Sequence, residues 1–267
     1  MATARSRVSP VPDKPAATID TGNGRAVAIA DYHAGIEAGL RYERGVELPS
    51  NAAVRLDRVL ELIDDTGADR LIVLGDLGHR IGNPVGAEGA ELDDFVSAVT
   101  ARVPLSIATG NHDGGIADRY ATRERVTVHP SSGGTIGGPD NDAVGLIHGH
   151  TWPDRSVLSA EVICMGHEHP EVRLKDSVGG TRTAPVWLRG RLDRELIAAE
   201  LDTTAATVEA SLPDPEVVVF PAFNDRSGGT WINVPGQGFL SPFLPEALVD
   251  GEAYLLDGTR LGDYEQV

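Results

Sequence analysis

The chain has 267 residues, 41% of them apolar, enough to bury a core in one large domain or two small ones. Its net charge is −17, and only Lys14 and Lys175 among the 23 basic residues are lysine. Such acidity suits a halophilic cytosol, where salt screens self-repulsion over a Debye length of about 3 Å at 1 M.

Acidity argues against nucleic-acid partners, which are bound through Lys and Arg, but that argument fails in molar salt. A mesophilic acidic enzyme is the alternative, and it would restore the exclusion. Cys164, the single cysteine, excludes internal disulfides and thiolate metal sites. It lies in an apolar run and reads as a buried structural thiol. No apolar run approaches the roughly 20 residues of a membrane helix, and no leader-like segment is visible, so no membrane partner and a cytoplasmic location are expected.

Residues 1–20 contain Arg5, Arg7, Pro10, Pro12 and Pro15 without an apolar stretch. They read as a flexible extended tail ahead of a single domain over 21–267. From Arg25 onward, short β-branched runs alternate with amphipathic stretches, the pattern of an α/β or layered α+β domain. Strands are expected at 26–30, 70–74, 105–108, 144–147, 162–165, 186–188 and 217–220. Leu56, Val59, Leu60 and Ile63 mark a helix capped by Ser50 and ended by Gly67. Leu92, Phe95, Val96 and Val99 mark a second, with acidic residues favouring its N-terminus. Residues 131–142, rich in Gly, Ser and Asp, read as a surface loop or hairpin tip.

Five motifs directly follow expected strands, where the carboxyl ends of an open sheet form a binding crevice. Asp31-Tyr32-His33 puts a carboxylate and an imidazole two residues apart, on one side of an extended chain. In Gly75-Asp76 the aspartate has two oxygens and can bridge two ions roughly 3.5–4 Å apart. Gly110-Asn111-His112-Asp113 adds an amide oxygen and a further imidazole, followed by His148-Gly149-His150 and Gly166-His167-Glu168-His169. Each motif alone is weak. Seven of the eight histidines sit in or just beside these motifs, leaving only His129 elsewhere. Imidazole, carboxylate and amide oxygen without thiolate suit two divalent ions, Mn²⁺ ahead of Fe²⁺ or Zn²⁺.

The order D-x-H, GD, GNHD, H and GHxH over residues 25–170 resembles the calcineurin-like metallophosphoesterase superfamily. The resemblance implies a four-layer αββα sandwich of two mixed sheets flanked by helices. It also implies ligand sets: Asp31, His33, Asp76 and His169 for one ion, and Asp76, Asn111, His148 and His167 for the other. By the same resemblance His112 acts on the phosphate or leaving group. Many members continue the GD motif to Asp-Arg, whereas this chain reads Asp76-Leu77-Gly78-His79-Arg80, so His79 is a candidate for that function. The GD-x-x-H spacing, Gly166 to Pro170, and Phe220 to Asn224 with Gly228-Gly229 resemble a narrower group. That group comprises archaeal phosphoesterases related to the double-strand-break nuclease SbcD and bacterial ones associated with a DNA ligase.

Asp113 is expected to orient His112 or its loop. His150 is expected to back the ligands, since His148 stands directly at the strand end. Glu168 should point away from its two flanking histidines, towards a surface hydrogen bond. Arg189 and Arg226 read as solvated surface; the Phe220–Asn224 block could be only a strand and turn, and it is the resemblance that implies closure over the site.

The expected reaction is hydrolysis of phosphate esters, with phosphodiesters and DNA as substrates, by a metal-activated water without a serine or cysteine nucleophile. The rivals are a phosphomonoesterase on a small metabolite and a non-catalytic scaffold. The scaffold requires loss of the very residues present here.

Overall fold

The computed structural model describes residues 7–138, 143–175 and 178–267. The first sheet follows chain order: β1 (Val8–Pro10), β2 (Ala17–Asp20), β3 (Arg25–Ile29), β4 (Arg70–Leu74), β5 (Leu105–Ala108) and β6 (Val126–His129). The first three strands pair antiparallel and β3 to β6 parallel, with α1 (Ile36–Arg44), α2 (Ala52–Thr66), α3 (Gly86–Arg102) and α4 (Ile116–Tyr120) in the connections.

The second sheet contains β7 (Gly134–Gly137), β8 (Ala143–Ile147), β9 (Val162–Met165), β10 (Pro170–Lys175), β11 (Thr181–Leu192), β12 (Glu216–Val219) and β13 (Thr230–Trp231). Its order is β13-β10-β11-β12-β9-β8-β7, and β14 (Leu248–Leu255) joins β11 to β15 (Arg260–Asp263). Here β8, β9 and β12 run parallel while β7 and β11 are antiparallel to their neighbours, so both sheets are mixed. Three short helices serve this half: α5 (Arg155–Leu158), α6 (Arg194–Glu200) and α7 (Ala205–Ser211).

Period-2 alternation separates the layers. Along β3, Val27 and Ile29 pack towards α2 and α3, while Ala26, Ala28 and Ala30 face the other sheet. Along β9, Ile163 and Met165 face the outer helices, while Val162 and Cys164 face inwards. Trp187 and Phe220 fill the space between the sheets with ring centroids 4.7 Å apart. The small alanines of β3 leave room for these large rings. Both sheets thus bury two faces, giving the expected helix–sheet–sheet–helix layering.

Helix α2 ends at Gly67 as expected, and Ser50 Oγ accepts from the Ala52 amide at 3.3 Å, although Asn51 is the capping position. Leu92, Phe95, Val96 and Val99 form the buried stripe of α3. Two expectations are corrected. Residues 8–20 are no tail: β1 and β2 form an antiparallel hairpin that buries Val8, Ala17 and Ile19 between the sheets. An edge strand tolerates Pro10, and Pro12 and Pro15 fall in the turn. The 131–142 segment contains β7, paired with β8, and its last four residues lie outside the described ones. Among the described residues, no helix is long and apolar enough to cross a membrane.

Candidate metal centre

Every sequence motif lands at the carboxyl end of its strand, and backbone hydrogen bonds lace the loops together. The Asp31 amide donates to Gly75 O at 3.2 Å, the His33 amide to Asp76 O at 2.9 Å and the Gly166 amide to His148 O at 3.0 Å. Two glycines make room for this. A Cβ on Gly75 would lie 2.3 Å from His148 Nδ1, and one on Gly110 would lie 2.1 Å from Asp76 Oδ1. Asp31, His33, Asp76, His167 and His169 all have positive φ, between 44° and 71°. Such strain costs of order 1–3 kcal/mol per residue and gathers at functional sites.

The ring tautomers can be deduced. His148 Nδ1 lies 2.9 Å from Leu74 O, which can only accept, so Nδ1 carries the hydrogen and Nε2 of the neutral ring is a lone pair. That lone pair faces Asn111 Oδ1 at 3.1 Å, His167 Nδ1 at 3.1 Å and Asp76 Oδ1 at 3.3 Å. His169 is fixed likewise: Nδ1 donates to Gly228 O at 2.8 Å, and Nε2 faces Asp31 Oδ1 at 3.1 Å. Asp31 Oδ1 and His33 Nδ1 are buried without hydrogen bonds. So many converging acceptors require a positive charge among them.

The proton affinities report the same demand. Burial would lower His148 and His169, but the Asp76 and Asp31 carboxylates override it and push both up to about 9. Burial pushes His33 and His167 down to about 4. Asp76 is driven well below the carboxylate range, its burial outweighed by His148 and His33. Asp31, His33 and His169 form one cluster of converging ligand atoms; Asp31, Asp76 and His148 form another. Asp76 turns Oδ1 to His148 and Oδ2 to His33, the latter at 3.9 Å. A cation at each cluster therefore fits the donors present.

His112 lies at the pocket mouth, Nε2 3.9 Å from Asp76 Oδ2 and Nδ1 hydrogen-bonded to the His79 carbonyl. Asp113 touches the loops, not the His112 ring: its oxygens accept from the Gly78 amide at 3.0 Å and the Gly110 amide at 2.8 Å, tying two motifs together. Burial raises its acid to about 6. The His79 ring stacks near His112, centroids 5.9 Å apart, and forms a third cluster with His33 and His112. His150 packs beside His148, centroids 5.3 Å apart, outside all three clusters.

Two minor expectations change. Glu168 does point away from its neighbours, but it is fully buried and accepts from the Leu240 and Ser241 amides and Thr230 Oγ1. Arg226 is not solvated surface: it lines the pocket and contacts Glu37. Arg189 pairs with Glu216 on the far sheet. The Phe220–Asn224 block does reach the site, since the Phe223 amide donates to Ala30 O and Asn224 Nδ2 to Asp31 O.

Sequence reasoning missed α1, whose Ile36 and Leu40 form a pocket wall, and Glu88, which accepts from the His79 and Arg80 amides. The α1 signal is hidden by Gly39, required because a Cβ there would lie 2.2 Å from the His79 ring. The cavity over the donors measures about 350 Å³. A hollow of about 690 Å³ at the amino ends of the strands, beside Thr18, Asp20 and Arg25, contains none of the three ligand clusters.

No family model matches the sequence, and no curated protein matches it. Among solved structures it is similar to the nuclease MPE of Pseudomonas putida, with 19% identity and a TM-score of 0.53 over 95% of this chain and 100% of that one. It is also similar to YfcE, a phosphoesterase from E. coli, with 21% identity and a TM-score of 0.36 over 57% of this chain and 74% of that one. The first likeness shows the fold: two mixed sheets with helices outside, as the motif resemblance implies. The second is too distant to carry an argument.

Proposed function

We propose that the chain is a phosphoesterase that works with two divalent metal ions and hydrolyses phosphodiesters, DNA among them. The observation that carries this reading is the convergence of lone pairs around His148 Nε2 and Asp31, with tautomers fixed from behind by Leu74 O and Gly228 O. Asp31, His33, Asp76 and His169 would hold one ion, and Asp76, Asn111, His148 and His167 the other; the donor chemistry favours Mn²⁺. Such ions, when bound, lower the pKa of a water and offset phosphate charge.

The chain's own residues do the rest. Hydrogen bonding of His112 Nδ1 to the His79 carbonyl leaves Nε2 for the pocket, where a proton can pass to the leaving oxygen. Asp113 keeps the Gly78 and Gly110 loops in register, so that His112 and Asn111 keep their places. We assign residues 21–267, together with the β1–β2 hairpin, to one catalytic domain.

DNA as substrate rests on the narrower motif resemblance, to the SbcD-related and ligase-associated phosphoesterases. A phosphomonoesterase is favoured instead by the cavity, whose 350 Å³ lies at the small end for ligand pockets. One experiment separates them. Protein reconstituted with Mn²⁺ is assayed at low and high salt against mono- and diesters of nitrophenol, nucleotides, and single- and double-stranded DNA. Diester and DNA cleavage abolished by chelation supports the proposal; efficient monoester turnover without diesterase activity selects the second reading. Failure to retain metal would reject both.

A further inference from the structure

The cavity floor is donor-rich, but a phosphate ester also needs a fixed cation beside it, and two arginines line the pocket: Arg44 and Arg226. Arg44, in the last turn of α1, is exposed. Arg226 is held at both ends. Its amide and that of Ser227 each donate to Asn224 Oδ1 at 2.8 Å, while Asn224 Nδ2 donates to Asp31 O at 3.0 Å. The turn that carries the guanidinium is thereby tied to the centre of the donor cluster.

At the other end, Arg226 Nε lies 3.3 Å from Glu37 Oε1. Glu37 is immobile because Arg55 grips it with two hydrogen bonds, at 2.8 and 3.0 Å. Arg55 in turn donates to Glu91 Oε1 at 2.7 and 3.1 Å, and Glu91 Oε2 accepts from the Gly35 amide at 2.8 Å. Glu91, Arg55, Glu37 and Arg226 make a row of alternating charges that ends at the pocket. Glu37, Arg55 and Glu91 are buried, whereas the Arg226 side chain keeps 23% of its surface exposed. Among the described residues neither Arg226 Nη makes a hydrogen bond, so most of its five donors remain for a ligand.

We propose that Arg226 anchors a non-bridging phosphate oxygen of the substrate, oriented for it by the Glu37–Arg55–Glu91 row. The inference rests on the phosphoesterase reading and adds a specific anionic contact to it. A guanidinium held in advance loses little entropy when it binds, and its forked donors match phosphate oxygens in a way lysine cannot. The competing role is structural: Arg226 would only balance Glu37.

The test uses full-length wild type, Arg226→Lys and Arg226→Gln, each reconstituted with Mn²⁺. Metal content, melting temperature and calorimetric binding of inorganic phosphate are measured. Lysine keeps the charge facing Glu37, so Arg226→Lys should melt and bind metal like wild type yet bind phosphate about ten- to a hundredfold more weakly, the loss of a charge-assisted contact. Arg226→Gln should bind phosphate no better than Arg226→Lys.

Full phosphate affinity in Arg226→Lys, or loss of metal from it, would overturn the inference in favour of a structural role. Wild type that binds phosphate and cleaves esters while both variants match it removes only the role of Arg226. Metal-loaded wild type that neither binds phosphate nor cleaves any ester removes the phosphoesterase reading as well.

Discussion

The donor floor of the pocket and its arginine wall are held in place by different means. The floor is made of strand-end loops, with strained residues such as Asp31 and His169 pinned by backbone hydrogen bonds and glycine-sized gaps. The wall is made of α1 and the Asn224–Arg226 turn, held by a buried charge row that crosses from α1 to α2 and α3. Geometry on the floor is fixed largely by backbone hydrogen bonds between strand-end loops, so a ligand side chain can be lost without disturbing the fold. Geometry on the wall is fixed by charged side chains that depend on one another, so removing one charge strands another in a dry interior.

The largest effect should come from Asp76, which turns one oxygen to His148 and the other to His33. Asp76→Ala should lose metal and lower activity by about three orders of magnitude or more, since several kcal/mol of charge stabilisation go with it. Elemental analysis beside a melting curve checks this. Metal content and activity equal to wild type would show that Asp76 does not bridge the clusters.

His112→Ala should keep both metals while kcat falls by roughly two to four orders of magnitude. The fall should be smaller for nitrophenyl esters, whose leaving group needs little protonation, than for nucleoside esters. Equal losses on both would replace proton donation by charge stabilisation, and an emptied metal site would make His112 a ligand.

On the wall, Arg55→Ala leaves Glu37 and Glu91 buried without their cation. It should lower stability by about 3–5 kcal/mol, seen in denaturant unfolding, whereas Asp76→Ala should leave the fold nearly intact. A destabilised Arg55→Ala protein that still binds Mn²⁺ when folded would sharpen the contrast; loss of metal at temperatures where it is folded would break it.

The same division explains what the sequence could reveal. Asp31 with His33 and His167 with His169 are legible because each motif directly follows a strand, although all four residues have positive φ, so the extended chain expected there gives way to a tight turn. The two-sheet layering is legible too, since alternation along segments such as Val27–Ala30 records two buried faces. Arg55, by contrast, sits in the apolar stripe of α2 with partners 18 and 36 residues away, and no spacing rule relates them. Asn224 lies 193 residues from Asp31. Helix α1 was obscured by Gly39, which reads as a helix breaker until His79 is seen against it. Short edge strands β1 and β2, with prolines around them, gave no periodicity long enough to detect.

The smallest effect belongs to Glu168, which stands between two floor ligands in sequence but serves the wall in space. Its Oε1 accepts from the Ser241 amide at 2.6 Å and the Leu240 amide at 3.1 Å, while Oε2 accepts from Thr230 Oγ1 at 3.2 Å. Leu240 lines the pocket, so this carboxylate holds the pocket's lip against the loop that carries His169. In Glu168→Gln the amide oxygen can stay with the two backbone donors, and the new NH₂ group can donate to Thr230 once that hydroxyl rotates. What is lost is the charge on the acceptor, so stability should fall by about 1 kcal/mol and metal content should not change. Glu168→Ala leaves the buried Ser241 amide and the half-buried Leu240 amide without this acceptor and should cost about 1–3 kcal/mol. Denaturant titration of both variants beside metal analysis decides the matter. If the glutamine alone releases metal, the floor depends on the wall through residue 168, and the separation drawn between them fails at that point.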